Sequence, residues 1–182
     1  MKVLIPLAQG CEELEAVTLI DLLRRANIEV VTAGLESGPV HASRGTVLVP
    51  DTTLDEALGG EYDMVVLPGG LPGADHLDND GRIHKLLRDM AAKDRFTAAI
   101  CAAPKVLAHA GLLRGRRATA YPGVLESLDP GDITLQGDAV VVDGKVITSR
   151  GPGTAMDFAL TLIELLAGTA TRNEVEAALT RS

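Results

Sequence analysis

Phe96-Thr97-Ala98-Ala99-Ile100-Cys101-Ala102-Ala103-Pro104-Lys105-Val106-Leu107 is an apolar run broken at one cysteine and resumed by helix-forming residues. Its first five residues read as a strand buried on both faces. Pro104 fits the first turn of a helix, where the missing N–H costs nothing. Cys101 therefore falls at a strand-to-helix bend followed only by small alanines. Such neighbours permit a sharp, strained turn that presents a side chain at the carboxyl edge of a sheet. Unpaired N–H groups and the positive end of a helix dipole at that place favour the thiolate, the reactive form of cysteine. Cys101 is thus the candidate nucleophile. The competing reading is a free cysteine packed as a small hydrophobe.

Upstream of this run, Lys2 to Ala8 reads as a central strand and Glu12 to Ala26 as a helix, acidic at its start and closed by Arg24 and Arg25. At 100° per residue, Ala16, Leu19, Leu22, Leu23 and Ala26 share one arc. Glu15 lies on the edge of that arc. A carboxylate desolvated there has a raised pKa and exchanges protons near neutrality; the alternative is an edge carboxylate reaching out to water. Leu14 and Val17 form a second, smaller apolar stripe suited to an oligomer contact. Ile28 to Ala33 is the next strand, His41 to Val49 a short hairpin or edge element, and Leu54 to Leu58 a short helix. Tyr62 to Leu67 is a buried strand that ends in Pro68-Gly69-Gly70-Leu71-Pro72-Gly73. Glycines directly after a strand let backbone N–H groups approach a ligand closely. Ile83 to Ala92 is the following helix, and Gly111 closes the helix begun at Pro104.

Beyond Gly111 the pattern changes to short strands at Arg117 to Ala120, Ile133 to Leu135, Ala139 to Val142 and Val146 to Thr148, with Asp143-Gly144 as a two-residue hairpin turn. A long apolar helix from Ala155 to Ala167 and a terminal helix from Asn173 to Leu179 follow. The strand-helix alternation implies one α/β domain over 1–182, an open, mostly parallel sheet covered by helices on both faces. In such sheets ligands sit outside the carboxyl ends of strands. Gly69-Gly70, Cys101 and the start of the Glu15 helix all follow strand ends.

Composition narrows the function classes. The net charge of −8 argues against a nucleic-acid partner, and two Phe, two Tyr and no Trp leave no stacking platform. The basic run Arg114-Gly115-Arg116-Arg117 reads as a solvated loop. Two cysteines and four scattered histidines give neither a disulfide framework nor a metal pattern. No uncharged apolar run of about eighteen residues and no signal-peptide pattern is found, so a cytoplasmic protein without a membrane partner is expected.

Four stretches, Gly10-Cys11-Glu12-Glu13-Leu14-Glu15-Ala16, Val65-Val66-Leu67-Pro68-Gly69-Gly70, Ala98-Ala99-Ile100-Cys101-Ala102-Ala103-Pro104 and Thr148-Ser149-Arg150-Gly151-Pro152-Gly153-Thr154, together resemble the ThiJ/PfpI superfamily. The similarity is greatest to the branch of DJ-1 and its bacterial protein deglycase relatives, and it covers essentially the whole chain. The resemblance implies a flavodoxin-like fold, a homodimer, and a cofactor-free, metal-free site. In that site Cys101 is the oxidisable elbow cysteine, Glu15 a protonated glutamate bonded to its sulfur, and Gly69, Gly70 and Ala102 the oxyanion pocket. Arg44 matches a position that reaches the partner subunit's site.

Two departures follow from the same comparison. Tyr121 stands where many members carry a His before Pro, and a phenol is a poor base at neutral pH. Ala102 stands where the protease-like branch has His, which excludes that peptidase arrangement. His76, beyond the glycine loop, is a possible substitute base or a surface helix histidine. Cys11 occupies a position that is usually small, either near Cys101 or as a packed bystander. Two functions are implied: a glyoxalase or deglycase acting on methylglyoxal, glyoxal and their adducts, or a non-catalytic thiol sensor or redox-regulated chaperone working through oxidation of Cys101.

Overall fold

In the computed structural model, which describes residues 1–128 and 131–181, the chain runs through β1 (Lys2–Leu7), α1 (Glu13–Arg25), β2 (Glu29–Gly34), β3 (Val40–His41), β4 (Val47–Leu48) and β5 (Thr52–Thr53). It continues through α2 (Leu54–Ala57), β6 (Met64–Leu67), α3 (Gly73–Asp78), α4 (Gly81–Ala92), β7 (Phe96–Ile100) and α5 (Pro104–His109). The remainder comprises β8 (Arg117–Ala118), β9 (Thr134–Leu135), β10 (Val140–Asp143), β11 (Val146–Ser149) and α6 (Ala155–Ala178). Seven strands form the main sheet in the order β10-β11-β7-β6-β1-β2-β5. Every pairing is parallel except β10 with β11. This is a flavodoxin-like α/β fold.

The strands are apolar throughout because both faces of the sheet are covered. Alternation sends Val3, Ile5, Leu7, Met64 and Val66 to one layer, where α1 and α6 supply Leu19, Leu23, Phe158, Leu162 and Ile163. Leu4, Val65, Leu67 and Ala99 face the other, against Leu77 of α3, Ile83 and Leu87 of α4, and Val106 and Leu107 of α5. The arc expected on α1 is the buried one: Ala16, Leu19, Leu22, Leu23 and Ala26 are all inside. Helix ends follow capping chemistry. The Asp80 carboxylate accepts from the Arg82 N–H, and the Thr53 hydroxyl accepts from the Glu56 N–H.

Several details differ from the sequence expectation. Helix α3, whose bounds the sequence pattern does not give, runs for six residues from Gly73 and carries His76. The hairpin turn is Gly144-Lys145, since Asp143 still pairs with Val146. β8 and β9 pair only with each other, in parallel, outside the main sheet. The last helix begins immediately after Gly168, whose φ of +88° breaks α6; only glycine takes that conformation freely. The basic run is not simply solvated. Arg116 Nη1 donates to Asp143 O at 3.1 Å, and Arg117 Nη2 to Val142 O at 3.1 Å. Finally, Pro152–Ala178 is long and apolar enough to cross a membrane by length and composition. Its apolar side chains Phe158, Leu160, Leu162, Ile163 and Leu166 are instead spent in the core.

Strands β1, β6 and β7 are neighbours in the sheet, so the three loops that leave their carboxyl ends converge. These loops carry Gly10 to Glu12, Gly69-Gly70 and Cys101.

Candidate active site

Cys101 occupies the bend after β7 with φ +64°, the left-handed region that costs a non-glycine residue about 1 kcal/mol or more. The bend is fixed from both sides. The Cys101 N–H donates to Ser149 O at 3.0 Å, its carbonyl accepts from the Tyr121 N–H at 2.9 Å, and the Ala103 N–H closes on Ile100 O at 3.0 Å. Pro104 then opens α5. Only 9% of Cys101 is exposed.

Glu15, in the first turn of α1, is fully buried. Its Oε2 accepts from the Gly69 N–H at 2.8 Å, while Oε1 makes no well-aligned hydrogen bond. The carboxyl faces the Cys101 thiol closely enough for each group to alter the other's ionisation. Gly69 lies between them. A Cβ there would stand 2.6 Å from Cys101 Cβ and 2.9 Å from Glu15 Oε2, so any side chain would push the two apart. Gly70 is equally constrained, with φ +87° and a Cβ position 2.4 Å from the Glu12 nitrogen.

Burial is the main cause of the carboxyl's rise from its ordinary value to about 7, opposed by the Gly69 N–H and by Cys101. Burial also pushes the Cys101 thiol up to about 12, followed by the negative charge of Glu15 and its contact. The N–H groups of Gly70 and Ala102 hydrogen-bond to the sulfur and pull the other way. The backbone N–H groups thus act in the direction expected from the sequence, and burial beside the carboxyl opposes them. α5 has only six residues, and its start does not outweigh desolvation beside a carboxylate. Near neutral pH the Glu15 carboxyl is about half ionised beside a protonated sulfur, so its ionised form is positioned to accept the thiol proton.

The structure thus brings Cys101, Glu15, Gly69, Gly70 and Ala102 together. Arg44 lies in the loop between β3 and β4, its backbone N–H on Glu13 Oε1 at 2.9 Å and its exposed guanidinium 4.0 Å from Glu12 Oε2. No hydrogen bond or ion pair joins it to Cys101 or Glu15 of the same chain. The Tyr121 ring is half-exposed and packs on Gly151 at the edge of a 430 Å³ cleft shared with Ala139, Arg150 and Pro152. What Tyr121 gives Cys101 is its backbone N–H. His76 is exposed on α3 and lines a 580 Å³ cleft with Leu7, Gln9, Leu35 and Val40. That cleft is larger, yet neither Cys101 nor Glu15 lines it. Cys11 is fully buried with a thiol pushed up to about 11 by burial, and its backbone packs against Gly73; both cysteines are free.

Sequence reasoning gave no role to Ser149. Its carbonyl anchors the elbow, and its hydroxyl lies 2.7 Å from that of Thr154. The motif Thr148–Thr154 was the available signal. Among the described residues, no group of three His, Cys, Asp or Glu side chains is placed to hold a metal.

A family model described as the DJ-1/PfpI family matches residues 1–165. The chain belongs to the DJ-1/PfpI family. Protein DJ-1alpha of Drosophila melanogaster is 46% identical over 178 residues, covering 97% of this chain and 82% of that protein. A Caenorhabditis elegans relative named glutathione-independent glyoxalase DJR-1.2 is 35% identical over 160 residues, 88% of this chain and 85% of its own length. The crystal structure of Drosophila melanogaster DJ-1beta superposes with a TM-score of 0.95 at 42% identity, covering 100% of this chain and 98% of that one.

Proposed function

We propose that the protein is a cysteine-dependent, cofactor-free glyoxalase or deglycase acting on methylglyoxal, glyoxal and their adducts. The observation that carries this reading is the buried pairing of Glu15 with Cys101 beneath two backbone donors. A relative carries glyoxalase in its name.

In the first step Glu15 carboxylate takes the thiol proton as sulfur bonds to the aldehyde carbon. The carbonyl π pair moves to oxygen, and the Gly70 and Ala102 N–H groups hold that oxyanion. Glu15 returns the proton to give a hemithioacetal. Transfer of the C1 proton to C2, again through Glu15, with the C1 hydroxyl proton passing to the C2 oxygen, yields an enzyme thioester of lactate. Water cleaves it and restores the thiol, so methylglyoxal and one water become lactate without an oxidant. A carboxyl titrating near 7 suits both directions of transfer.

The unit of action is proposed as a cytoplasmic homodimer. The exposed Leu14 and Val17 on the outer face of α1 support an apolar contact, with Arg44 of each chain directed toward the other's site.

The competing role is a redox sensor or chaperone, in which peroxide converts Cys101 to a sulfinate stabilised by the same donors. Lactate formation from methylglyoxal by wild type, Cys101→Ser and Glu15→Gln, beside intact mass after mild peroxide, separates the two. Turnover lost in both variants supports the enzyme. A gain of two oxygens on Cys101 without turnover in the wild type overturns it in favour of the sensor.

A further inference from the structure

We propose that Asp75–Lys105 and Asp78–His109 form a two-point clamp between α3 and α5 that holds the Gly70 and Ala102 N–H groups on the Cys101 sulfur. This rests on the pocket described above and names four positioning residues for it. The two donors come from separate loops. Each is tied to the short helix that follows: the Ala74 N–H of α3 donates to Gly70 O at 2.8 Å, and in the α5 turn the Val106 N–H donates to Ala103 O at 2.9 Å. Both helices have only six residues, too few to hold a direction alone.

Side chains lace the two helices at both ends. Lys105 Nζ is in close contact with Asp75 Oδ1, and His109 Nδ1 lies 2.7 Å from Asp78 Oδ2, where the carboxylate fixes the ring nitrogen as the donor. Asp75 and Asp78 are three apart and Lys105 and His109 four apart, so each pair of positions shares one helix face. Each pairing has one mostly buried member, Lys105 at 17% and Asp78 at 15% exposed, and one half-exposed member, Asp75 at 49% and His109 at 47%. A third helix joins it: His84 Nε2 of α4 donates to Asp78 O at 2.7 Å and lies 3.3 Å from Asp78 Oδ1. Between the two lacings Ala74, Leu77, Val106 and Leu107 are buried, so a shift of α3 is transmitted to the glycine loop.

The test compares Lys105→Met, which severs one point, Lys105→Arg, which keeps it, Asp78→Asn, and His109→Gln at a half-exposed position. Two readouts are followed: lactate formation from methylglyoxal, and the rate of Cys101 alkylation by iodoacetamide against pH, mapped by peptide mass. Displacing rather than deleting an oxyanion donor is expected to lower kcat about tenfold, with KM within about twofold, in Lys105→Met and Asp78→Asn. Alkylation of both at fixed pH slows, its midpoint moves upward, and Lys105→Arg restores both readouts. Wild-type alkylation rates in Lys105→Met and His109→Gln overturn the clamp whatever happens to Tm, and these two decide the matter if Asp78→Asn does not fold. Wild-type protein that forms no lactate refutes the glyoxalase reading alone, because alkylation still reports on the clamp.

Discussion

Replacing Glu15 with Gln is expected to stabilise the fold above neutral pH while removing the proposed proton acceptor. In the unfolded chain the carboxyl ionises near its ordinary 4.5, and in the folded chain only near about 7. Below pH 4.5 it is protonated in both states and does not distinguish them. Between the two values the unfolded chain gains its charge freely while the folded one stays neutral, so stability declines with rising pH. Above about 7 the folded state bears a buried carboxylate at full cost. That gap is worth about 3 kcal/mol at about 1.4 kcal/mol per pH unit. No discount for solvent is due, because the residue is 0% exposed. Gln keeps an oxygen for the Gly69 N–H and carries no charge. Urea denaturation of both proteins from pH 4.5 to 8 should show the variant's advantage growing by about 3 kcal/mol. A difference that is flat across this range, or that shrinks as pH rises, refutes the assignment of the raised carboxyl to Glu15.

Other outcomes follow from the same geometry. Because Glu15 acts as carboxylate in the first step, kcat/KM for methylglyoxal should rise with pH through a midpoint near 7, and Glu15→Gln should show no turnover at any pH; stopped lactate assays at a series of pH values measure it. Gly69→Ala places a Cβ 2.6 Å from Cys101 Cβ and 2.7 Å from Ile100 O, so thermal melts should show a loss of about 1–3 kcal/mol together with loss of turnover. Tyr121→Phe removes only a half-exposed hydroxyl and leaves the backbone N–H on Cys101 O. Its kcat should stay within about threefold of wild type, since no proton transfer passes through the phenol; a drop of tenfold or more would give the ring a chemical role.

The cysteine elbow and its strand were legible because a buried strand is uniformly apolar and its end is marked by small residues and Pro104. Helical periodicity placed Glu15 only on the edge of the buried arc of α1. Its full burial depends on Gly69, a residue 54 positions away, passing close enough to donate to it, and no local pattern encodes that approach. The thiol's surroundings were legible only in part, for a related reason. A helix start is visible in sequence, but the desolvation that outweighs it comes from packing. The bounds of helix α3 were not legible because its six residues open on glycine and its stability is tertiary, through Leu77 and the pairings with α5. Arg116 and Arg117 looked solvated because their partners, Val142 and Asp143, come from a later hairpin.

Those two arginines bear on how the protein behaves at high concentration. A sheet's outermost strand exposes unpaired carbonyls that can recruit a strand from another molecule and seed aggregation. Here the carbonyls of Val142 and Asp143 on outermost β10 are already occupied by guanidinium groups, and at the opposite margin β5 is two residues long. At these two carbonyls an incoming strand finds its acceptors already taken, which works against edge-to-edge association along β10.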